Sequence, residues 1–204
     1  MTSNKKIARI AGLLYLVVVI TGIFSLMYVP SKLIVWDNPT ITFNNVVESQ
    51  ALFRFGLISY IICYTSFLIL TLVLYELIKS VHHIHAISIL VLAMASVPMA
   101  LLNIQNQFNV LSLIGGENYL IVFNSGQLKA QVLLYLNNYD NGRLITLVFF
   151  GLLLFSIGYL VYKSGLIPKI LGILLMFACF SNLVNFVGNT FLTSYSGFGI
   201  SSYI

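Results

Sequence analysis

Charge is what this chain has least of. Ten Lys and Arg and five Asp and Glu make up 7% of its 204 residues, where a soluble globular domain carries roughly 25%. Hydrophobic residues reach 59% and the mean hydropathy is +0.99. So few charges cannot clothe a water-soluble surface. An ordinary soluble enzyme, a disordered chain, a collagen-like chain and a coiled coil are all excluded. Cysteine is nearly as scarce: Cys63 and Cys179 each sit inside an apolar stretch, which fits small hydrophobes in a bundle and not a disulfide framework or a CxxC pair. The sequence also lacks a P-loop and a dinucleotide-binding glycine motif, so no cofactor is expected. The net charge of +5 is scattered between apolar runs and reads as an orientation signal, not as a nucleic-acid footprint.

What is present is five long apolar stretches. They cover about residues 7–28, 51–78, 86–114, 144–162 and 167–192. A membrane span needs ~20 mostly apolar residues, and helices satisfy their own backbone in hydrocarbon. The expected fold is therefore all-α, a polytopic transmembrane helix bundle of about five spans forming one transmembrane domain, residues 1–204. The first stretch follows Lys5, Lys6 and Arg9 but is too long for a signal core. It has no A-x-A site near Phe24–Pro30, so it reads as a retained span. Pro98 inside the third stretch predicts a kink, and Pro168 suits the first turn of the fifth helix. Gly151 and Gly158, seven apart, predict a close helix approach on one face of the fourth.

With the N-terminus inside, Lys5, Lys6, Arg9, Lys79, Lys163 and Lys169 lie inside, while Lys32, Arg54, Lys129 and Arg143 lie outside or near the outer interface. Glu76 is inside; Asp37, Glu48, Glu117 and Asp140 are outside. This bias predicts a cytoplasmic N-terminus and an outside C-terminus. Two longer segments fall outside. Val29–Gln50 carries Pro30, Trp36 and Pro39, the Trp as an interfacial anchor. Gly115–Gly142 contains Leu128, Val132, Leu133 and Leu136 among polar residues, which predicts a short amphipathic helix outside. Asn141-Gly142 predicts a turn before the fourth span.

The polar residues within spans are mostly amides. Asn103, Gln105, Asn106, Gln107 and Asn109 crowd the end of the third helix. Asn182, Asn185 and Asn189 form a stripe on the fifth, and Arg54, Ser59 and Tyr60 enter with the second. All lie at one depth, and unpaired amides in hydrocarbon are costly. Arg54, Tyr60, Asn103, Asn106, Gln107, Asn182, Asn185 and Asn189 are therefore the candidate lining of an outward-facing polar pocket. The competing reading is interhelical glue, worth only ~0.6 kcal/mol per bond; for Arg54 it is snorkelling to the interface. His82, His83 and His85 are weak metal candidates, with a solvated loop as the alternative. Glu76 and Lys79 read as a surface ion pair. Apart from Glu76 at the inner end of the second, no Asp or Glu falls inside the five stretches, which argues against proton-coupled transport and metal-dependent intramembrane hydrolysis.

Several motifs resemble the bacterial integral-membrane family called domain of unknown function 4386. They are ARIAGLLYLVVVITGIFS at Ala8–Ser25, LFRFG at Leu52–Gly56, LYELIKSV at Leu74–Val81 and GYLVYKSGLIPKILGILL at Gly158–Leu175. The amphipathic stretch Gln127–Gly142 also fits. The resemblance covers about residues 7–192. It implies an all-helical protein of the bacterial inner membrane and brings no catalytic or ligand residues. It places Arg54, Lys163, Ser164, Pro168 and Gly172 in a shared pattern. It also implies one further apolar helix, whereas Thr193–Ile204 is a polar tail; a natural five-span form and a truncated one both fit.

The functional expectation is a non-enzymatic membrane protein that binds or passes a small polar solute. The alternative is an assembly subunit of a homo- or hetero-oligomer; an intramembrane enzyme ranks third. The bilayer itself is the one partner that composition demands.

Overall fold

The computed structural model describes residues 2–116, 118–164 and 168–191. All its regular elements are helices, and no strand occurs among the described residues. Helix α1 (Thr2–Ile23) passes through a π-helical turn (Phe24–Tyr28) into α2 (Val29–Leu33). Helix α3 is Pro39–Glu48, α4 Gln50–Ile78, α5 His83–Asn103 and α6 Gln105–Ile114. A 3-10 turn at Asn118–Val122 precedes α7 (Ser125–Ser164) and α8 (Lys169–Phe191). Among the described residues, five helical runs are long and apolar enough to cross a membrane: Lys5–Leu33, Gln50–Ile78, His83–Ile114, Ser125–Lys163 and Lys169–Phe191. The chain is an all-α multi-pass bundle, as its composition requires. Glu117 and the segments 165–167 and 192–204, including the polar tail, lie outside the described residues.

Three boundaries differ from the sequence reading. The first span does not end at Tyr28. In the π turn the Val29 N–H donates to the Phe24 carbonyl, five residues back. This widening of the ladder falls just before Pro30, which has no N–H to give, and the helix continues to Leu33. Beyond it, Asn38 caps α3 by accepting from Thr40 N at 3.1 Å and Ile41 N at 3.0 Å, with Pro39 at the first position, where a missing donor costs least. The supposed outer loop is thus largely helical.

The third span is interrupted at Ile104, between α5 and α6. There the Gln107 N–H turns to the Ile104 carbonyl three residues back. The chain remains helical through Pro98.

The largest difference is α7. No turn forms at Asn141-Gly142; the amphipathic segment and the fourth span are one helix of 40 residues, about 60 Å long. It starts at a reciprocal cap, in which Asn124 N donates to Gln127 Oε1 and Gln127 N donates to Asn124 Oδ1, both at 2.9 Å. It persists through the Asn-Gly pair because one continuous face is buried: Val132 and Leu136 are wholly inside and Tyr139 nearly so. Asp140 and Arg143 pair one turn apart, and Thr146 back-bonds to the Gly142 carbonyl.

Successive neighbours are α1 on α4, α4 on α5, α5 on α7 and α7 on α8. Helices α1 and α8 therefore flank the bundle, and 11% of their apolar windows is buried against 33% for the other three spans. A large core at the end away from the N-terminus joins Val46, Phe53, Leu57, Tyr60, Val110 and Leu136. A smaller one toward the other end joins Ile89, Ala93, Leu153 and Leu160. Gly158 and Gly172 bring α7 and α8 into backbone contact: a Cβ at either would lie 2.6 Å from the other's carbonyl oxygen. Gly151 likewise receives Cys179 and Asn182 of α8. These are the small-residue contacts by which helices pack without a hydrophobic driving force.

Candidate functional site: an interhelical cavity with one polar end

A cavity of about 870 Å³ lies among α1, α4, α7 and α8, within the size range of small-molecule sites. On α7 its wall runs from Tyr139 to Ile157, about 27 Å along the axis, nearly the thickness of a hydrocarbon core. The polar groups gather toward the Tyr139 end. Asp140, Arg143 and Thr146 come from α7 and Asn182 and Asn185 from α8. Apart from Tyr15 of α1, the opposite half is apolar, with Phe67, Leu70 and Leu74 of α4 facing Leu153, Leu154 and Ile157 of α7.

The charges in this wall neutralise each other. Asp140 Oδ1 accepts from Arg143 Nε at 2.9 Å and from its terminal nitrogen at 2.8 Å, with both side chains 29% exposed. Asn185 Oδ1 is shielded from water and has no hydrogen-bond partner; the equally shielded Tyr139 hydroxyl neighbours that of Tyr60. Tyr139 stacks edge-on against Tyr60 at 5.7 Å, and Tyr60 lies 4.5 Å from Tyr64, which also faces the cavity. A short aromatic chain thus runs from the α4 core to the cavity wall.

The eight candidate residues do not converge. Asn182 and Asn185 line the cavity. Asn189 is exposed and donates to the Asn185 carbonyl at 2.8 Å. Tyr60 is buried behind Tyr139, its hydroxyl donating to the Ala100 carbonyl at 3.2 Å. Arg54 is exposed, away from the cavity. Gln107 is buried on α6. Asn103 reaches from α5 to α7, donating to the Tyr139 carbonyl at 2.7 Å, and Asn106 donates to Asn103 Oδ1 at 3.0 Å. Gly142 makes this reach possible, because a Cβ there would collide with the Asn103 carboxamide.

The sequence reading missed Tyr64, Tyr139, Asp140, Arg143 and Thr146. Their signal was present. Tyr139, Arg143, Thr146 and Phe150 follow helical spacing, legible only if the helix is carried through Gly142. The continuity also corrects an inferred absence: Asp140 lies within the fourth candidate span and faces its cavity.

At the other end of the bundle, His82 and His85 pack on each other and on Tyr159, with His85 4.1 Å from the Tyr159 ring, while His83 is exposed. Among the described residues no three His, Cys, Asp or Glu side chains gather as metal ligands. Lys79 Nζ donates to Glu76 Oε2 at 2.6 Å, which holds the ammonium above its ordinary range.

The fold defines a multi-pass helical membrane protein. The profile of the family described as domain of unknown function (DUF4386) matches residues 10–203, and the chain belongs to that family. Comparison with curated proteins and with solved structures returns no match.

Proposed function

We propose that this is a membrane-embedded binding protein whose small-molecule ligand occupies the cavity between α1, α4, α7 and α8. The observation that carries the reading is a roomy interhelical cavity in which Asn182 and Asn185 meet Tyr139, Asp140, Arg143 and Thr146 at one end. A few polar groups set in an apolar wall suit orientation of a ligand. The basic-residue bias supports a cytoplasmic N-terminus in the bacterial inner membrane and an outside C-terminus, which opens the polar end away from the cytoplasm.

Cys63 provides the test, since it lines the cavity while Cys179 is buried outside its lining. Protein in phosphatidylcholine nanodiscs is screened against small solutes and lipids by thermal shift. Maleimide labelling of Cys63 is read by mass spectrometry in parallel. A ligand of this site raises the melting temperature and slows Cys63 labelling. If no compound does both, the reading fails.

A second reading, an assembly subunit, draws on the flanking positions of α1 and α8, between which a partner's helix could seat. Migration as a monomer in nanodiscs, with Cys63 freely reactive, counts against it.

A further inference from the structure

We propose that the cavity's ligand is a single-chain amphiphile with an uncharged head bearing a hydroxyl or primary amide, admitted sideways from the bilayer between α1 and α8. The proposal rests on the binding reading above and names its ligand class.

Shape is the first argument. The cavity follows α7 for about 27 Å, so it is a trough along the bundle axis. A compact solute would leave most of it empty, whereas an extended hydrocarbon chain matches its length. Polarity is the second. Beyond Phe150 the facing α4 and α7 walls offer Phe67, Leu70, Leu74, Leu153, Leu154 and Ile157, with no polar group to reward a hydrated solute. The polar groups sit where the head of an amphiphile lying parallel to bilayer lipids would be.

The head's charge follows from the ion pair. Asp140 and Arg143 are the ionisable pair in the polar half, and they are already bonded to each other. An anionic head beside Arg143 would leave the site with an uncompensated negative charge, and a cationic head beside Asp140 with an uncompensated positive one. Either imbalance is costly in this partly buried wall. An uncharged head disturbs nothing. What the wall asks for is a partner to the Asn182 and Asn185 carboxamides, each of which carries donors and an acceptor. A group that both donates and accepts, a hydroxyl or a primary amide, meets that need whichever way the Asn185 carboxamide is turned. Entry follows from topology: α1 packs mainly on α4 and α8 mainly on α7, while both help line the cavity.

The test is Cys63 labelling in phosphatidylcholine nanodiscs with four probes: 1-oleoylglycerol, oleate, glycerol and dioleoylphosphatidylglycerol. The expected result is at least tenfold slower labelling with 1-oleoylglycerol at a concentration where the other three change it less than twofold. Asn185→Leu should weaken that protection at least fivefold, and Asn189→Ala, outside the cavity, should not. Equal protection by oleate overturns the uncharged head. Equal protection by glycerol overturns the amphiphile. Equal protection by dioleoylphosphatidylglycerol shows ordinary bilayer lipid in the groove. If 1-oleoylglycerol fails while a solute from the wider screen protects Cys63, the ligand class is wrong and the binding reading stands. If nothing protects, both fall.

Discussion

Asn103 and Gly142 show how one residue type creates a role for another. The Asn103 carboxamide reaches the Tyr139 carbonyl only because residue 142 has no side chain. Gly142→Ala should therefore destabilise the protein by about 1–3 kcal/mol, the cost of overpacking a tight contact, seen as a lower melting temperature in detergent. Asn103→Ala should be milder, and the double variant should recover part of the Gly142→Ala loss, since the colliding group is gone. An additive pair would show that the two do not touch. Glu76→Gln is the contrasting case. Lys79 and Glu76 are bonded but exposed at 42% and 52%. The raised Lys79 pKa favours the folded state at pH values below the ordinary lysine range, and that support fades as pH rises through the raised value. Solvent screening makes it small, so the melting temperature at neutral pH should not move.

At the scale of elements, α7 and its junction with α8 matter most. If α7 is continuous, the amides of residues 140–146 should exchange with deuterium as slowly as those at 132–136. A turn at Asn141-Gly142 would exchange orders of magnitude faster. Asn141→Pro should cost about 3 kcal/mol and should also move Tyr139 and Asp140 relative to Thr146, so the Cys63 protection proposed for 1-oleoylglycerol should be lost. Gly158→Leu should push α8 off α7, because the Gly172 carbonyl lies where its Cβ would be. Disulfide crosslinking between cysteines placed at Leu154 and Leu175 in that background should drop sharply, while the α1–α4 contact is untouched.

On the scale of the molecule, five crossings by the described helices would put the start of α1 and the end of α8 on opposite sides of a membrane. The exposed residues Val81 and Val122 mark the two ends of the bundle. Replaced singly by cysteine, they should react from opposite sides with an impermeant maleimide, residue 122 in intact cells and residue 81 only after permeabilisation. Labelling of both from one side would overturn the five-span topology.

Composition and pattern were enough to read the class of the protein. Fifteen charges in 204 residues leave no soluble solution, and the long apolar runs admit only helices, because hydrocarbon offers no partner to a free backbone group. The glycine spacing that brings α7 against α8 was legible for the same reason: residues seven apart share a face. The amide-rich runs were legible as polar but not as a site. Whether Asn103 faces a cavity or a neighbouring helix depends on which helices adjoin α5. The chain continuity at Gly142 was hidden, since Asn-Gly favours a turn locally and only burial of Val132, Leu136 and Tyr139 against other helices outweighs that preference. The sequence by itself determined the solvent, the helices and their approximate number, all set by local composition. The tertiary structure alone decided which helices flank the cavity, which polar groups meet in it and that their charges cancel, because those depend on packing between residues distant in the chain.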